Sequence, residues 1–223
     1  KELVEDILPF WARHGWDQEH GGMMTALDQG GEILDSDKSV WFQGRTAWTY
    51  ATAYRTIEQN PEYLAIAQSC LSFIKQHCVD EDGRYFFRVT RTGEPVIKRS
   101  RYIFSEAFAA LAMAAYSRAS GERQYGEDAH ALFLQIIRTL DDPLILTAKV
   151  NQRTRATVGL AVPMILLVVA QEIREALPEQ REYYTSYIEE SIRTILTTFV
   201  DREHKALIEQ ANADGTFDFT HFE

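Results

Sequence analysis

Phe108-Ala109-Ala110-Leu111-Ala112-Met113-Ala114-Ala115-Tyr116 runs nine residues without a charge or an amide. A helix that is apolar on every side has no face for water and belongs inside a protein. Just after it, Ser120-Gly121 punctuates the chain, and a second helical run follows at Arg123–Leu140. The same arrangement occurs twice more, about the turn signals Asn60-Pro61 and Leu177-Pro178, each about 60 residues away. The repeat predicts three helix pairs: Val40–Gln59 with Glu62–His77, Ile103–Ala119 with Arg123–Leu140, and Thr157–Ala176 with Glu179–Phe199. A further helix over Glu2–His14 opens the chain.

The two members of a pair differ in character. The first is rich in small and apolar residues. In the second, apolar residues recur at helical spacing, as at Leu64, Ala67, Leu71 and Ile74, with polar residues between them. Buried and half-exposed helices therefore alternate, which predicts two layers. The links also repeat: Asp17-x-Glu-x-Gly21-Gly22 to Gly30-Gly31, Asp80-Glu81-Asp82-Gly83 to Gly93, and Asp201-x-Glu203 to Asp214-Gly215. Each holds a short alternating or aromatic run before a turn, and these are expected to be β-hairpins. The expected fold is an all-α chain of about seven helices with short hairpins between helix pairs. It is of α/α-toroid type and forms one domain over residues 1–223. Six pairs close such a ring, and three are visible.

Composition narrows the function. Charged residues number 33 acidic against 23 basic, a net charge of −10. This balance argues against nucleic acid and anionic membrane surfaces as partners. The hydrophobic content of 45% is ordinary for a globular protein. Ala156–Ala170 is the most apolar stretch, and it is shorter than the ~20 residues of a membrane helix. No stretch has the pattern of a signal peptide. Two cysteines, Cys70 and Cys78, are too few for a disulfide scaffold and suit a reducing cytoplasm.

The motifs become specific when read together. Lys38-Ser-Val-Trp41-Phe-Gln43-Gly-Arg45-Thr-Ala-Trp48 opens the first inner helix, after Asp17-x-Glu-x-Gly-Gly and Leu27-Asp28-x-Gly-Gly. Tyr102-Ile-Phe-Ser105-Glu106-Ala-Phe108, Leu160-Ala-Val-Pro163-Met164 and Leu207-Ile-Glu209 follow in order. Their order and spacing resemble the N-acylglucosamine 2-epimerase family over essentially the whole chain. The resemblance implies an (α/α)6 barrel that interconverts N-acetylglucosamine and N-acetylmannosamine without a redox cofactor or metal. It also implies a catalytic pair of histidines, one in an Asn-Pro-Gly-His motif. Neither motif occurs here, and the chain stops at His221-Phe222-Glu223. The expectation is the N-terminal half of such an enzyme, incomplete for catalysis.

Epimerisation at C2 removes a proton beside the C1 carbonyl and returns one to the opposite face. Histidine suits the two bases, and arginine suits the charge that develops on the C1 oxygen. Arg45, among Trp41, Phe42 and Trp48, is the candidate for that cation. The alternative is an ion pair with Glu106. Trp41 is either a ring for the sugar's C–H face or core packing. Gln43 is a candidate to bind sugar hydroxyls. Glu106 either orients Arg45, contacts substrate or serves the helix N-terminus. Arg155 either faces the same mouth or is a surface charge. Glu209 has a structural hydrogen-bonding role or a substrate contact. None of the six histidines matches the catalytic pair, and each reads as a surface or capping group.

Other chemistries find no support. No Cys/His cluster has zinc spacing, and no nucleophile elbow or Walker loop occurs. Asp80-Glu81-Asp82-Gly83 lacks the later glutamate of a calcium loop. Three readings stay open: an N-acetylhexosamine epimerase, a cellobiose 2-epimerase or aldose–ketose isomerase relative, and a non-catalytic sugar-binding or interaction module. A half-ring would expose an apolar edge at its last helix pair and so invite homodimerisation or a complementing chain.

Overall fold

A computed structural model describes residues 1–97, 103–142, 156–212 and 216–217 of the 223-residue chain. Seven α-helices occur among the described residues. They are α1 (Leu8–His14), α2 (Val40–Thr56), α3 (Pro61–His77), α4 (Phe104–Ser120), α5 (Arg123–Asp141), α6 (Ala161–Ala176) and α7 (Arg181–Thr198). A π-helical turn, Leu3–Ile7, leads into α1. The short strands are β1 (Ala26–Leu27), β2 (Ile33–Asp35), β3 (Lys38–Ser39), β4 (Arg88–Val89), β5 (Pro95–Ile97), β6 (Thr157–Gly159), β7 (Val200–Asp201), β8 (Ala206–Leu207) and β9 (Gln210–Asn212). No described helix is long and apolar enough to cross a membrane.

The inner layer is α2, α4 and α6, each packed on the next. The run Phe108–Tyr116 lies inside α4, and all of it except Phe108 is buried. Small residues let the inner helices approach closely. A Cβ on Gly44 of α2 would sit 2.6 Å from the Phe108 carbonyl oxygen of α4. Outer helices α3 and α5 cover this layer with Leu71, Ile74, Phe133 and Ile136. Asn60 caps α3 by accepting from the Glu62 N–H at 3.0 Å, and Pro61 takes the first helical position.

The three expected hairpins form as antiparallel pairs: β1 with β2, β4 with β5 and β7 with β8. β3 adds to the second, so that Lys38 lies opposite Val89. Helix ends shift by up to three residues from the sequence expectation, as at Thr56 against Gln59, and one segment changes type. Thr157–Gly159, expected to begin the third inner helix, is strand β6 paired with β9. β-branched Thr157 and Val158 favour extended backbone, and the Leu160 N–H donates to the Glu209 carbonyl at 2.9 Å.

Two of the hairpin turns share a detail. Gly31 and Gly93 have φ of +90° and +101°, and a Cβ on either would come within 2.4 Å of a histidine ring, His14 or His77. Each histidine ends the preceding helix and lies 5.0 Å from an aromatic ring one turn back, Phe10 or Phe73. These histidines are therefore packing groups. Gly93→Ala is expected to lower stability by about 1–3 kcal/mol through left-handed strain and collision. Thermal unfolding of Gly93→Ala against the parent chain checks this; His77→Ala in the same background removes the ring from the collision but keeps the Cβ at 2.6 Å, so it is expected to restore only part of the loss.

The outward edge at α6 and α7 leaves Met164, Val168, Ile192 and Leu196 exposed.

Candidate functional site

On a helix, residues 41, 45 and 48 fall within about 60° of one another, so α2 presents Trp41, Arg45 and Trp48 as one stripe. The facing stripe of α4 begins with Phe104 and Phe108. Trp41 packs against both, with ring centroids at 5.3 and 5.5 Å, and against Phe87 of the second hairpin at 6.0 Å. All four rings are half-buried. The Phe87 carbonyl accepts from the Val40 N–H at 3.1 Å, which fixes this hairpin to the first residue of α2.

Arg45 extends from this stripe with its guanidinium carbon 5.1 Å from the Phe108 ring centre. It is exposed and makes no ion pair among the described residues. The cost of a buried, unpaired cation therefore does not arise. Stacking on the ring restrains the guanidinium while its fork of N–H donors stays open to an incoming oxygen. Arg45 also borders an apolar pocket of about 230 Å³ lined by Leu3, Ile7, Trp11 and Phe42.

The other expected site residues lie elsewhere. Gln43 is fully buried, and its Oε1 accepts from the Met23 N–H at 2.7 Å while Nε2 donates to the Met23 carbonyl at 2.7 Å. It sits about 200° around α2 from Trp41 and does not reach the aromatic stripe. Glu106 does not pair with Arg45. It lies about 200° around α4 from Phe104, only 2% exposed, where Oε1 accepts from Arg84 Nε at 2.5 Å and from the Tyr85 N–H at 3.2 Å. Both residues are turned away from the stripe by helical geometry. The Glu209 side chain is exposed, and its main-chain carbonyl holds Leu160. Arg155 lies outside the described residues.

Sequence reasoning missed two groups. The rings of Phe87, Phe104 and Phe108 gather at Trp41 from two separate segments, and only the position of Phe104 and Phe108 on one helical stripe could have signalled it. In sequence, Lys38 reads only as the first residue of a motif. In the structure its ammonium is fully buried and donates to Asp17 Oδ2 at 2.9 Å, the Gly21 carbonyl at 2.6 Å and the Arg91 carbonyl at 2.9 Å. Arg91 also grips Asp17 through two nitrogens at 2.8 and 2.9 Å. Burial alone would raise the Asp17 carboxyl, but hydrogen bonds from Arg91 and Lys38 outweigh it and hold the group well below the usual carboxylate range. This cluster ties the first and second hairpins to the base of α2.

The described histidines lie away from the aromatic stripe. His130 Nδ1 meets the Tyr184 hydroxyl at 2.7 Å in the outer layer, and His204 Nδ1 meets Asp201 Oδ2 at 2.7 Å in the third hairpin. His20 lies beside Glu19. Among the described residues, no three His, Cys, Asp or Glu side chains converge as a metal site.

Comparison with known proteins agrees with this architecture. The rat N-acylglucosamine 2-epimerase (Rattus norvegicus) is 34% identical over 217 residues, which is 95% of this chain and 51% of that protein. A cellobiose 2-epimerase of Ruminococcus albus is 34% identical over 145 residues, 64% of this chain and 36% of that protein. A solved sugar epimerase from a ruminal bacterium superposes with a TM-score of 0.82 at 24% identity, covering 97% of this chain and 58% of that one. This likeness shows that the fold is the α/α-toroid type, present here without a closed ring. The chain spans about half the length of the rat protein. The family model described as N-acylglucosamine 2-epimerase (GlcNAc 2-epimerase) matches residues 3–220, and the chain belongs to that family.

Proposed function

We propose that the chain is the sugar-positioning half of a 2-epimerase acting on N-acetylhexosamines. The observation that carries this reading is Arg45, a guanidinium with no ion pair among the described residues, restrained over Phe108 beside the half-buried ring of Trp41. Aromatic faces pack against the C–H face of a pyranose or its open chain. A fixed guanidinium beside them can neutralise charge that develops on the C1 oxygen as the C2 proton leaves. Removing and returning that proton needs two bases, and no described histidine stands at this face. The chain is therefore proposed to bind and orient sugar without turning it over.

The match to the rat protein runs along 95% of the chain, against 64% for the cellobiose 2-epimerase, which favours the N-acetylhexosamine branch. Saturation-transfer NMR in D2O with N-acetylmannosamine, N-acetylglucosamine and cellobiose tests this. The expected result is binding of the N-acetylhexosamines in preference to cellobiose, with no deuterium entering C2. Preference for cellobiose, or exchange at C2, contradicts it. Buried, unbridged Cys70 and Cys78 suit a reducing compartment such as the cytoplasm. The exposed apolar edge of α6 and α7 suits a second copy or a complementing chain, as in the interaction-module reading.

A further inference from the structure

Gln43 stands two residues from Trp41 and from Arg45, yet faces the other side of α2. Its carboxamide closes a two-bond ring with the main chain of Met23, accepting from the N–H and donating to the carbonyl, both at 2.7 Å. Met23 and Gln43 are each fully buried. The fit leaves no slack, because a Cβ on Gly22 would lie 2.6 Å from Gln43 Oε1. Among the described residues, Gln43 is the one α2 side chain that hydrogen-bonds the first hairpin. That hairpin is itself held down: Gly22 N–H donates to Ser69 Oγ of α3 at 2.9 Å, and Asp17 is locked by Lys38 and Arg91.

A small roll of a helix about its axis moves every side chain on the opposite face. Two hydrogen bonds to consecutive polar groups of one residue resist that roll, since it would stretch one bond or the other. The contact across α2 at Gly44 sets how closely the helix approaches α4. Two turns after Gln43 on the same face, the buried Tyr50 hydroxyl donates to the Leu8 carbonyl at 2.8 Å, a second anchor at the far end of the helix from Trp41 and Arg45. We infer that Gln43 is a positioning residue that sets the rotation of α2 and so aims Arg45 and Trp41 at the sugar. This rests on the reading of the aromatic stripe as the sugar site, and it gives the amide a purpose other than substrate contact.

Gln43→Met keeps the side-chain length and removes both bonds. Gln43→Glu keeps the acceptor for the Met23 N–H but turns a second carboxyl oxygen on the Met23 carbonyl, so it restores the pair of bonds only when protonated. The expected result is a loss of N-acetylmannosamine affinity of about tenfold or more in both variants at neutral pH. The Arg45 side-chain protons should also lose part of the upfield ring-current shift that Phe108 imposes. That shift is read without sugar, so it tests the inference even if no sugar binds. Absence of sugar binding by the parent chain would defeat the proposed function instead. If Gln43→Met does not fold, Gln43→Glu carries both measurements. Unchanged Arg45 shifts in a folded variant would overturn the inference, as would unchanged affinity alongside a merely lower Tm.

Discussion

Replacing Arg45 by Met is expected to weaken N-acetylmannosamine binding roughly ten- to hundredfold while the protein stays folded. The size follows from the loss of a charge-assisted hydrogen bond, worth about 1.5–3 kcal/mol, at about 1.4 kcal/mol per tenfold. The lack of structural damage follows from the surroundings. Arg45 is exposed, has no carboxylate partner among the described residues, and touches its neighbours chiefly by stacking on Phe108. Met retains much of that apolar contact. Arg45→Lys should recover only part of the affinity, because an ammonium lacks the planar fork. Calorimetric titration together with thermal unfolding separates the two effects. An affinity loss that matched a loss of folded protein would remove Arg45 from the site.

Lys38→Met is expected to have the largest effect on stability. Lys38 and Asp17 side chains are 0% and 1% exposed, so solvent does not screen their interaction. Removing the ammonium leaves the Gly21 and Arg91 carbonyls without this donor and leaves Asp17 with Arg91 and the Glu19 and His20 N–H groups. Breaking a buried ion pair in this way costs about 3–5 kcal/mol, which lowers Tm by on the order of 10 °C in a chain of this size. Acid dependence follows from Asp17. Its folded pKa is depressed, so its contribution is fully present above the ordinary carboxylate value of about 3.9 and is lost as pH falls below it. Denaturant unfolding between neutral pH and about pH 3 should show this loss in the parent chain and a smaller one in Asp17→Asn. A neutral-pH stability of Lys38→Met equal to the parent would show that the cluster is dispensable.

The fold was legible because its signals are periodic. The charge-free run in α4, the turns near residues 60, 121 and 178, and the Gly-bounded links each recur, and tertiary structure follows them closely. β6 escaped because its partner β9 lies about 50 residues downstream, and an isolated three-residue strand has no period of its own. The candidate site was legible in part. Trp41 and Arg45 fall on one stripe of α2, and the structure places them together. Gln43 and Glu106 stand near the motif's start in sequence, yet each lies about 200° around its helix from the aromatic stripe, a separation set by the ~100° step of the α-helix. The partners of Glu106, Arg84 and the Tyr85 main chain, come from a loop whose approach no local pattern announces. The same holds for Lys38, whose three acceptors come from two different hairpins.

The claim that the aromatic stripe with Arg45 is the sugar site is tested most directly by titrating the isotopically labelled chain with N-acetylmannosamine. The NMR signals of Arg45 Nε–H and the Trp41 indole N–H are then followed together. The account predicts that both shift saturably with one dissociation constant, and that the Trp41 response is weakened in Arg45→Met. Saturable shifts confined to other residues, such as Trp11 in the neighbouring apolar pocket, or no shift at either signal, would contradict it.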